Sequence, residues 1–269
     1  MSSSPVPDSW AAGDAYEAFM GRWSRPLAER FVHWIGAGRD LTWLDVGCGT
    51  GALSEAICRN GRPVAVVACD PSEAFVEHVR QRLDDARVSA VVAGADDLPR
   101  HPDGFDRIVS GLVFNFLPDP ESAVREMLSR TRPGGVVAAY VWDYGEGMEF
   151  LRHFWDEAVE LDADARALDE GVRFPICRPE ALEETFLAGG LHHVRTEALE
   201  IATRFESFED YWRPFLGGTG PAPAFVASLD DERRAVLRDR LERRLAAATG
   251  PSGAIDLVAR AWAVRGTAP

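Results

Sequence analysis

Residues 43–54 read WLDVGCGTGALS, an apolar run that ends in Asp45, followed by Gly47, Gly49 and Gly51 and then the start of a helical pattern. Strand, glycine loop and helix in that order open a parallel α/β unit, where ligands sit beyond the carboxyl ends of the strands. Glycines have no Cβ, so the backbone turns tightly there and comes close to a ligand. The spacing restricts which ligand. A dinucleotide turn has the form G-x-G-x-x-G and seats a pyrophosphate on a helix N-terminus. Here the form is D-x-G-x-G-x-G, with an acid two positions before the first glycine. A carboxylate in that place repels a pyrophosphate and attracts an ammonium group. The loop therefore argues against a nicotinamide-dependent oxidoreductase and for a ligand that carries a cation.

The flanking sequence continues the alternation. Strands are predicted at 42–47, 64–69, 88–93, 105–110 and 135–142, with helices at 51–60, 72–83 and 120–131. Ser72 suits a helix N-cap, and Pro133-Gly134-Gly135 suits a stop before the next strand. Such an order predicts βαβ units around a parallel sheet buried on both faces. Beyond Tyr144 the pattern loosens: helices are expected at 148–168 and 179–188, a strand at 191–202, a broken helical insert at 206–248 and a closing strand at 255–265. GGTGPAPAF, 217–225, reads as a mobile loop, and helix 230–247 as a solvated face around Val236, Leu237, Leu241 and Leu245.

Composition narrows the chemistry. The chain has 269 residues and a formal net charge of −14, so its average field repels phosphate backbones and anionic lipid. Nucleic-acid and membrane partners are not expected. The first ten residues, MSSSPVPDSW, lack a basic stretch leading into an apolar run, which predicts a cytoplasmic protein. Cys48, Cys58, Cys69 and Cys177 form no C-x-x-C pair and no metal-ligand spacing, so neither a disulfide framework nor a metal site is expected. All 29 basic residues are arginines. Without lysine there is no P-loop cation, no Schiff base and no pyridoxal phosphate anchor.

WLDVGCGTGALS closely resembles the first motif of the class I S-adenosylmethionine-dependent methyltransferases, and the motifs that follow strengthen the resemblance. Asp70 in ACDPSEAF ends the second strand, AGADDLP (93–99) follows the third, and FDRIVSGLVFNFLPDP (105–120) covers the fourth. The resemblance implies a Rossmann-like, mostly parallel seven-stranded sheet with helices on both faces. It implies a helical lead-in over 1–40 and a methyltransferase domain over 41–269, with helical inserts at about 145–178 and 206–250. It also implies S-adenosyl-L-methionine as cofactor, S-adenosyl-L-homocysteine as product and a small-molecule methyl acceptor as partner. By the same resemblance Asp45, Gly47, Cys48 and Gly49 lie beside the amino acid portion of the cofactor, and Asp70 with Pro71 at its ribose. A carboxylate has two acceptor oxygens for two adjacent hydroxyls. Ala95 and Asp96 fall at the adenine, although Gly94 stands where the family commonly has an acidic side chain. Ser110, Gly111 and Leu112 fall beside the transferring methyl.

AYEAFMGRWSRPLAERF (15–31) resembles the lead-in of a bacterial branch of these enzymes. It puts Tyr16 and Met20 against the cofactor and Arg22 or Arg25 on its carboxylate. Methyl transfer from a sulfonium is an in-line displacement in which alignment alone contributes about 7–11 kcal/mol, and a base matters only for an acceptor that must lose a proton. The candidates for catalysis are Tyr144, Asn115 as an orienting group, and His153; Asp143 lies on the same loop as Tyr144. A fold relative that binds the cofactor without turnover, as a sensor or partner subunit, is the alternative reading.

Overall fold

Apolar strands alternate with half-polar helices through the first half of the chain, and the computed structural model, which describes residues 21–217 and 220–269, shows what they build. Tyr16 and Met20 lie outside the described residues. In chain order the elements are α1 (Arg22–Ile35), β1 (Thr42–Val46), α2 (Ala52–Gly61), β2 (Ala65–Asp70), α3 (Glu73–Arg82), β3 (Val88–Val92), β4 (Phe105–Gly111), α4 (Pro120–Arg130) and β5 (Thr131–Trp142). They continue with α5 (Glu149–Leu161), α6 (Glu170–Arg173), α7 (Pro179–Ala188), β6 (His192–Phe205), α8 (Phe208–Trp212), α9 (Pro221–Ser228), α10 (Asp231–Leu245) and β7 (Ile255–Thr267). Two compact units divide the described chain. Residues 24–142, 175–199 and 261–269 form a sheet unit, and residues 21–23, 143–174 and 200–260 an insert unit.

The sheet has seven strands in the order β3-β2-β1-β4-β5-β7-β6. β1 runs parallel to β2 and β4, β2 to β3, and β4 to β5, while β7 pairs antiparallel with β5. The expected Rossmann-like, mostly parallel sheet is therefore the observed one. Strand order reverses at β1, which opens a crevice beyond its carboxyl end. Trp43, Leu44, Val66, Ile108, Val109 and Val137 are fully buried, as the uninterrupted apolar strands require. α4 starts where the sequence asks: Asp119 accepts a hydrogen bond from the Ser122 amide at 2.9 Å, and Pro120 occupies the first turn, where its missing N–H costs nothing.

Several boundaries depart from expectation for local reasons. Pro133-Gly134-Gly135 does not stop the chain before β5. It is absorbed in an irregularity of that strand, where the register with β4 shifts between Phe105 and Arg107. The helix expected over 148–168 ends at Leu161, because the Asp162 side chain accepts from the Asp164 amide and turns the backbone into a short 3-10 segment. Most of the GGTGPAPAF stretch is helix rather than loop: α9 begins with Pro221 in its first turn. Gly218 and Thr219 lie outside the described residues.

The insert unit has an aromatic core of its own. Phe154 stacks on Phe215 with ring centroids 4.4 Å apart, Phe150 on Phe215 at 4.9 Å, and the buried Tyr211 hydroxyl donates to the Phe150 carbonyl at 2.9 Å. α10 turns Leu237, Leu241 and Leu245 inward, but Val236 remains largely exposed. Arg240 and Arg244 of that helix hold Glu157 of α5 at 2.7 and 3.2 Å.

Candidate cofactor site

Parallel register gathers the predicted residues at one edge of the sheet unit. Asp45 is aligned with Ala68 of β2 and Val109 of β4, and Asp70 with Val92 of β3. The loop after β1 is anchored on β2, since the amides of Gly47 and Cys48 both donate to the Cys69 carbonyl, at 2.8 and 2.9 Å. Gly47 and Gly49 have left-handed backbones, with φ of 72° and 50°. A Cβ on Gly47 would meet the Val113 side chain at 2.5 Å, whereas one on Gly49 would meet nothing within 4 Å. Glycine is thus required at 47 by sterics and backbone alike, and at 49 by the backbone.

Both acids serve the loop and keep capacity for a ligand. Asp70 Oδ2 accepts from the Gly49 amide at 3.0 Å and Oδ1 from the Ser72 amide at 2.9 Å, so each oxygen has one bond and a second lone pair. Ser72 sits at the N-cap of α3, but its own side chain makes no capping bond. Asp45 is fully buried: Oδ2 accepts from Ser54 Oγ at 2.6 Å, while Oδ1 is buried with no partner. Burial raises the Asp45 carboxyl to about 7, opposed by the Ser54 hydrogen bond and assisted by the charge of Asp70. Asp70 is raised as well, by burial, with the two loop amides opposing.

Cys48 is buried in the loop, and its thiol is pushed up by burial and by both aspartates; Cys69 beneath it is pushed up to about 12. These are packing thiols, not nucleophiles. Pro71 is exposed after Asp70, and Ala95 is half-buried. The Asp96 carboxylate takes up the space left open by Gly94, where an added Cβ would stand 2.6 Å from Asp96 Oδ1. At the end of β4, Ser110 donates to the Val46 carbonyl at 2.8 Å, Gly111 leaves room for the Tyr140 ring, and Leu112 takes a left-handed backbone with φ 63°. A non-glycine residue in that region is strained by about 1–2 kcal/mol. Asn115 follows in a 3-10 turn, its Nδ2 buried and unpartnered.

The remaining candidates have partners of other kinds. Arg25, in the sheet unit, pairs with Glu55 at 3.6 Å. Arg22, in the insert unit, pairs with Asp210 at 3.1 Å. Tyr144 is buried with its ring against Phe174. His153 Nδ1 accepts from Arg244 Nε at 2.9 Å, and burial with the Arg244 charge lowers its pKa. Asp143 is held by Arg260 at 2.6 and 2.7 Å, a pairing that ties the loop after β5 to β7. Ser54, which fixes the rotamer of Asp45, and Val113, which fills the space at Gly47, were not read from sequence. Ser54 carries a recognisable signal, since one helical turn brings it back under the strand end, but Val113 carries none.

The seven-stranded sheet in this order, with β7 antiparallel to β5, is the Rossmann-like fold of the class I methyltransferases. Residues 44–139 match the family model described as a methyltransferase domain. An uncharacterised protein of Mycobacterium tuberculosis is 26% identical over 241 residues, which cover 88% of this chain and 84% of that protein. A ubiquinone biosynthesis O-methyltransferase of Xanthomonas campestris is 33% identical over 95 residues, 35% of this chain and 40% of that enzyme. Among solved structures, a chain of the Haloferax volcanii complex that contains the Trm112 methyltransferase activator superposes with a TM-score of 0.61 and 21% identity, covering all of both chains. Phosphoethanolamine N-methyltransferase 2 of Haemonchus contortus, solved with S-adenosylhomocysteine, superposes with a TM-score of 0.60 and 16% identity, covering 98% of this chain and 58% of that one. At these identities the structural likeness establishes the fold alone. No helix among the described residues is long and apolar enough to cross a membrane.

Proposed function

We propose that the protein binds S-adenosyl-L-methionine at the β1 loop and transfers its methyl group to a small-molecule acceptor. The observation that carries this reading is Asp45 Oδ1, a buried carboxylate oxygen without a partner. A buried unpaired acceptor is costly unless a donor completes it, and an ammonium group is the donor a carboxylate favours most. The residues fit the cofactor. Asp45 would hold its amino group, Gly47 and Gly49 would let the backbone pass close by, and Asp70 has two lone pairs for the ribose diol. Asp96, over Gly94, would stand in for the acidic side chain at the adenine, with Ala95 as backbone donor.

When bound, the cofactor supplies an activated methyl on a sulfonium with a neutral thioether leaving group. The chain's own residues then have to align and exclude. Ser110, Gly111 and Leu112 form the rim at the end of β4, and Asn115 offers an N–H pair to orient an acceptor oxygen or nitrogen. Tyr144, two residues beyond the carboxyl end of β5, is the group proposed for any proton transfer; Asp143 is committed to Arg260 and the ring nitrogen Nδ1 of His153 to Arg244. The same commitments favour one other reading, a cofactor-binding relative without turnover. The protein activator in the Haloferax complex is a precedent for partner-dependent members of this fold.

Isothermal titration with S-adenosylmethionine and S-adenosylhomocysteine tests the binding step. Affinity near the micromolar range is expected for both, with none for nicotinamide cofactors. Lack of binding by either sulfur compound sinks the proposal. Transfer of a labelled methyl group to any component of a metabolite pool separates an enzyme from a non-catalytic binder.

A further inference from the structure

Inside the sheet unit, the segment after β4 is tied to the exit of β1 at two points. Ser110 Oγ donates to the Val46 carbonyl at 2.8 Å. The Val113 side chain lies on Gly47, so close that an added Cβ there would meet its two methyl groups at 2.5 and 3.1 Å. Between those ties stands Leu112, whose left-handed backbone is strained for a bulky side chain and whose amide donates to the Tyr140 carbonyl at 2.8 Å. Such strain persists only where the surroundings over-determine the backbone, and it gathers at clamps and switches. Val113 then opens the 3-10 turn Phe114–Phe116, its carbonyl accepting from the Phe116 amide at 2.8 Å. Phe114 pins that turn to α7, buried with its ring 5.6 Å from that of Phe186. Asn115 has no such anchor, since its Nδ2 is buried without a partner. Its place is set by the backbone of a turn that rests at one end on Gly47.

We propose that Val113 is a positioning residue that couples the cofactor loop to Asn115. On the methyl-transfer reading, on which this assignment rests, the cofactor fixes the left-handed backbone at Gly47. Glycine has no side chain to absorb the change, so the contact passes to the Val113 methyl groups directly. A β-branched side chain is stiff at χ1, and a push on its methyl groups therefore moves the backbone instead of flipping a rotamer. Asn115, two residues on, then takes its working position once the cofactor is in place. Linkage makes the effect reciprocal: an acceptor that engages Asn115 tightens the cofactor loop.

The chain has two asparagines, Asn60 and Asn115, so selective isotope labelling of asparagine, read by amide NMR on the full-length protein, reports on the turn with a built-in reference. Asn60 lies near the far end of α2, its Nδ2 donating to the Ala56 carbonyl at 2.9 Å. S-adenosylhomocysteine should shift the Asn115 side-chain signals and leave those of Asn60 in place. Val113→Ala should still bind the ligand but lose most of that shift, and Val113→Ile, which keeps both γ carbons, should retain it. Bound ligand that leaves Asn115 unmoved in the wild type, or that moves it as far in Val113→Ala, overturns the proposal. Failure of the wild type to bind would strike the cofactor reading instead, and unliganded variants then decide the coupling. Gly47→Ala, whose Cβ displaces Val113, should shift the Asn115 signals, and should not do so in a Val113→Ala background. Signals unmoved by Gly47→Ala, or moved equally in both backgrounds, overturn the coupling. The same comparison decides if Val113→Ala loses the ligand, and Gly47→Ala alone decides if Val113→Ala does not fold.

Discussion

Asp45→Asn separates a buried, titrating carboxylate from a merely structural side chain. Burial raises the Asp45 carboxyl from its ordinary 3.8 to about 7. The folded protein therefore holds its proton to a higher pH than the unfolded chain does. Its contribution to stability is fully present below pH 3.8 and is lost as pH rises to about 7. At about 1.4 kcal/mol per unit, the complete loss is about 4 kcal/mol. Roughly 1.7 kcal/mol of this is already lost at about pH 5 and nearly all at about pH 8, a change of about 2.5 kcal/mol between them. Asparagine does not titrate. It keeps an oxygen for Ser54 Oγ but sets an unpaired amide group where Oδ1 lies, at a cost of about 1–3 kcal/mol that is the same at every pH. The difference between variant and wild type should thus move by about 2.5 kcal/mol in the variant's favour from about pH 5 to about pH 8, whatever its starting value. Urea unfolding without cofactor measures that difference. A pH-independent difference would refute the assignment of a buried charge to Asp45. With S-adenosylhomocysteine present the variant should lose affinity, and the wild type should bind more weakly as pH falls below about 7, because the ammonium group needs the ionised carboxylate.

Glu170 is also fully buried and raised to about 7 by burial, despite accepting from Trp155 Nε1 at 2.5 Å. Its stabilising contribution is present below the ordinary 4.5 and lost toward pH 7, so Glu170→Gln should gain on the wild type in urea by up to about 3 kcal/mol on going from acid to pH above 7. Gly47→Ala meets Val113 at 2.5 Å on a left-handed backbone. It should lower S-adenosylhomocysteine affinity and cost about 2–4 kcal/mol of stability, and Val113→Ala in the same chain should restore only the steric part. Arg260→Leu strips the buried Asp143 of two bonds and should cost about 3–5 kcal/mol by thermal unfolding, more than Asp143→Asn does.

Most of the sheet unit could be read from residue order because its determinants are local. Apolar runs of strand length, a capping Asp119-Pro120 pair and glycines spaced after an acid each act within a few residues. The mostly parallel topology follows from strands that alternate with helices of crossover length. The insert unit was less legible. Its helices are broken by side-chain turns such as that of Asp162, and its aromatic residues read equally as core or pocket wall until packing placed Phe150, Phe154, Tyr211 and Phe215 together. The catalytic candidates suffered most. Asp143 and His153 look free in sequence, but Arg260 and Arg244, more than ninety positions away in the chain, hold them.

The sequence alone thus determined which acids and glycines stand at the strand ends, and with them the charge that the loop presents. Only the tertiary structure decided which of those groups are spent and which are left over. One oxygen of Asp45 bonds Ser54 and the other is unpaired, and one nitrogen of Arg22 bonds Asp210 while two are not. The physical reason is that the charge and spacing of a side chain are properties of the chain, whereas its desolvation and its partners depend on residues that meet only after folding.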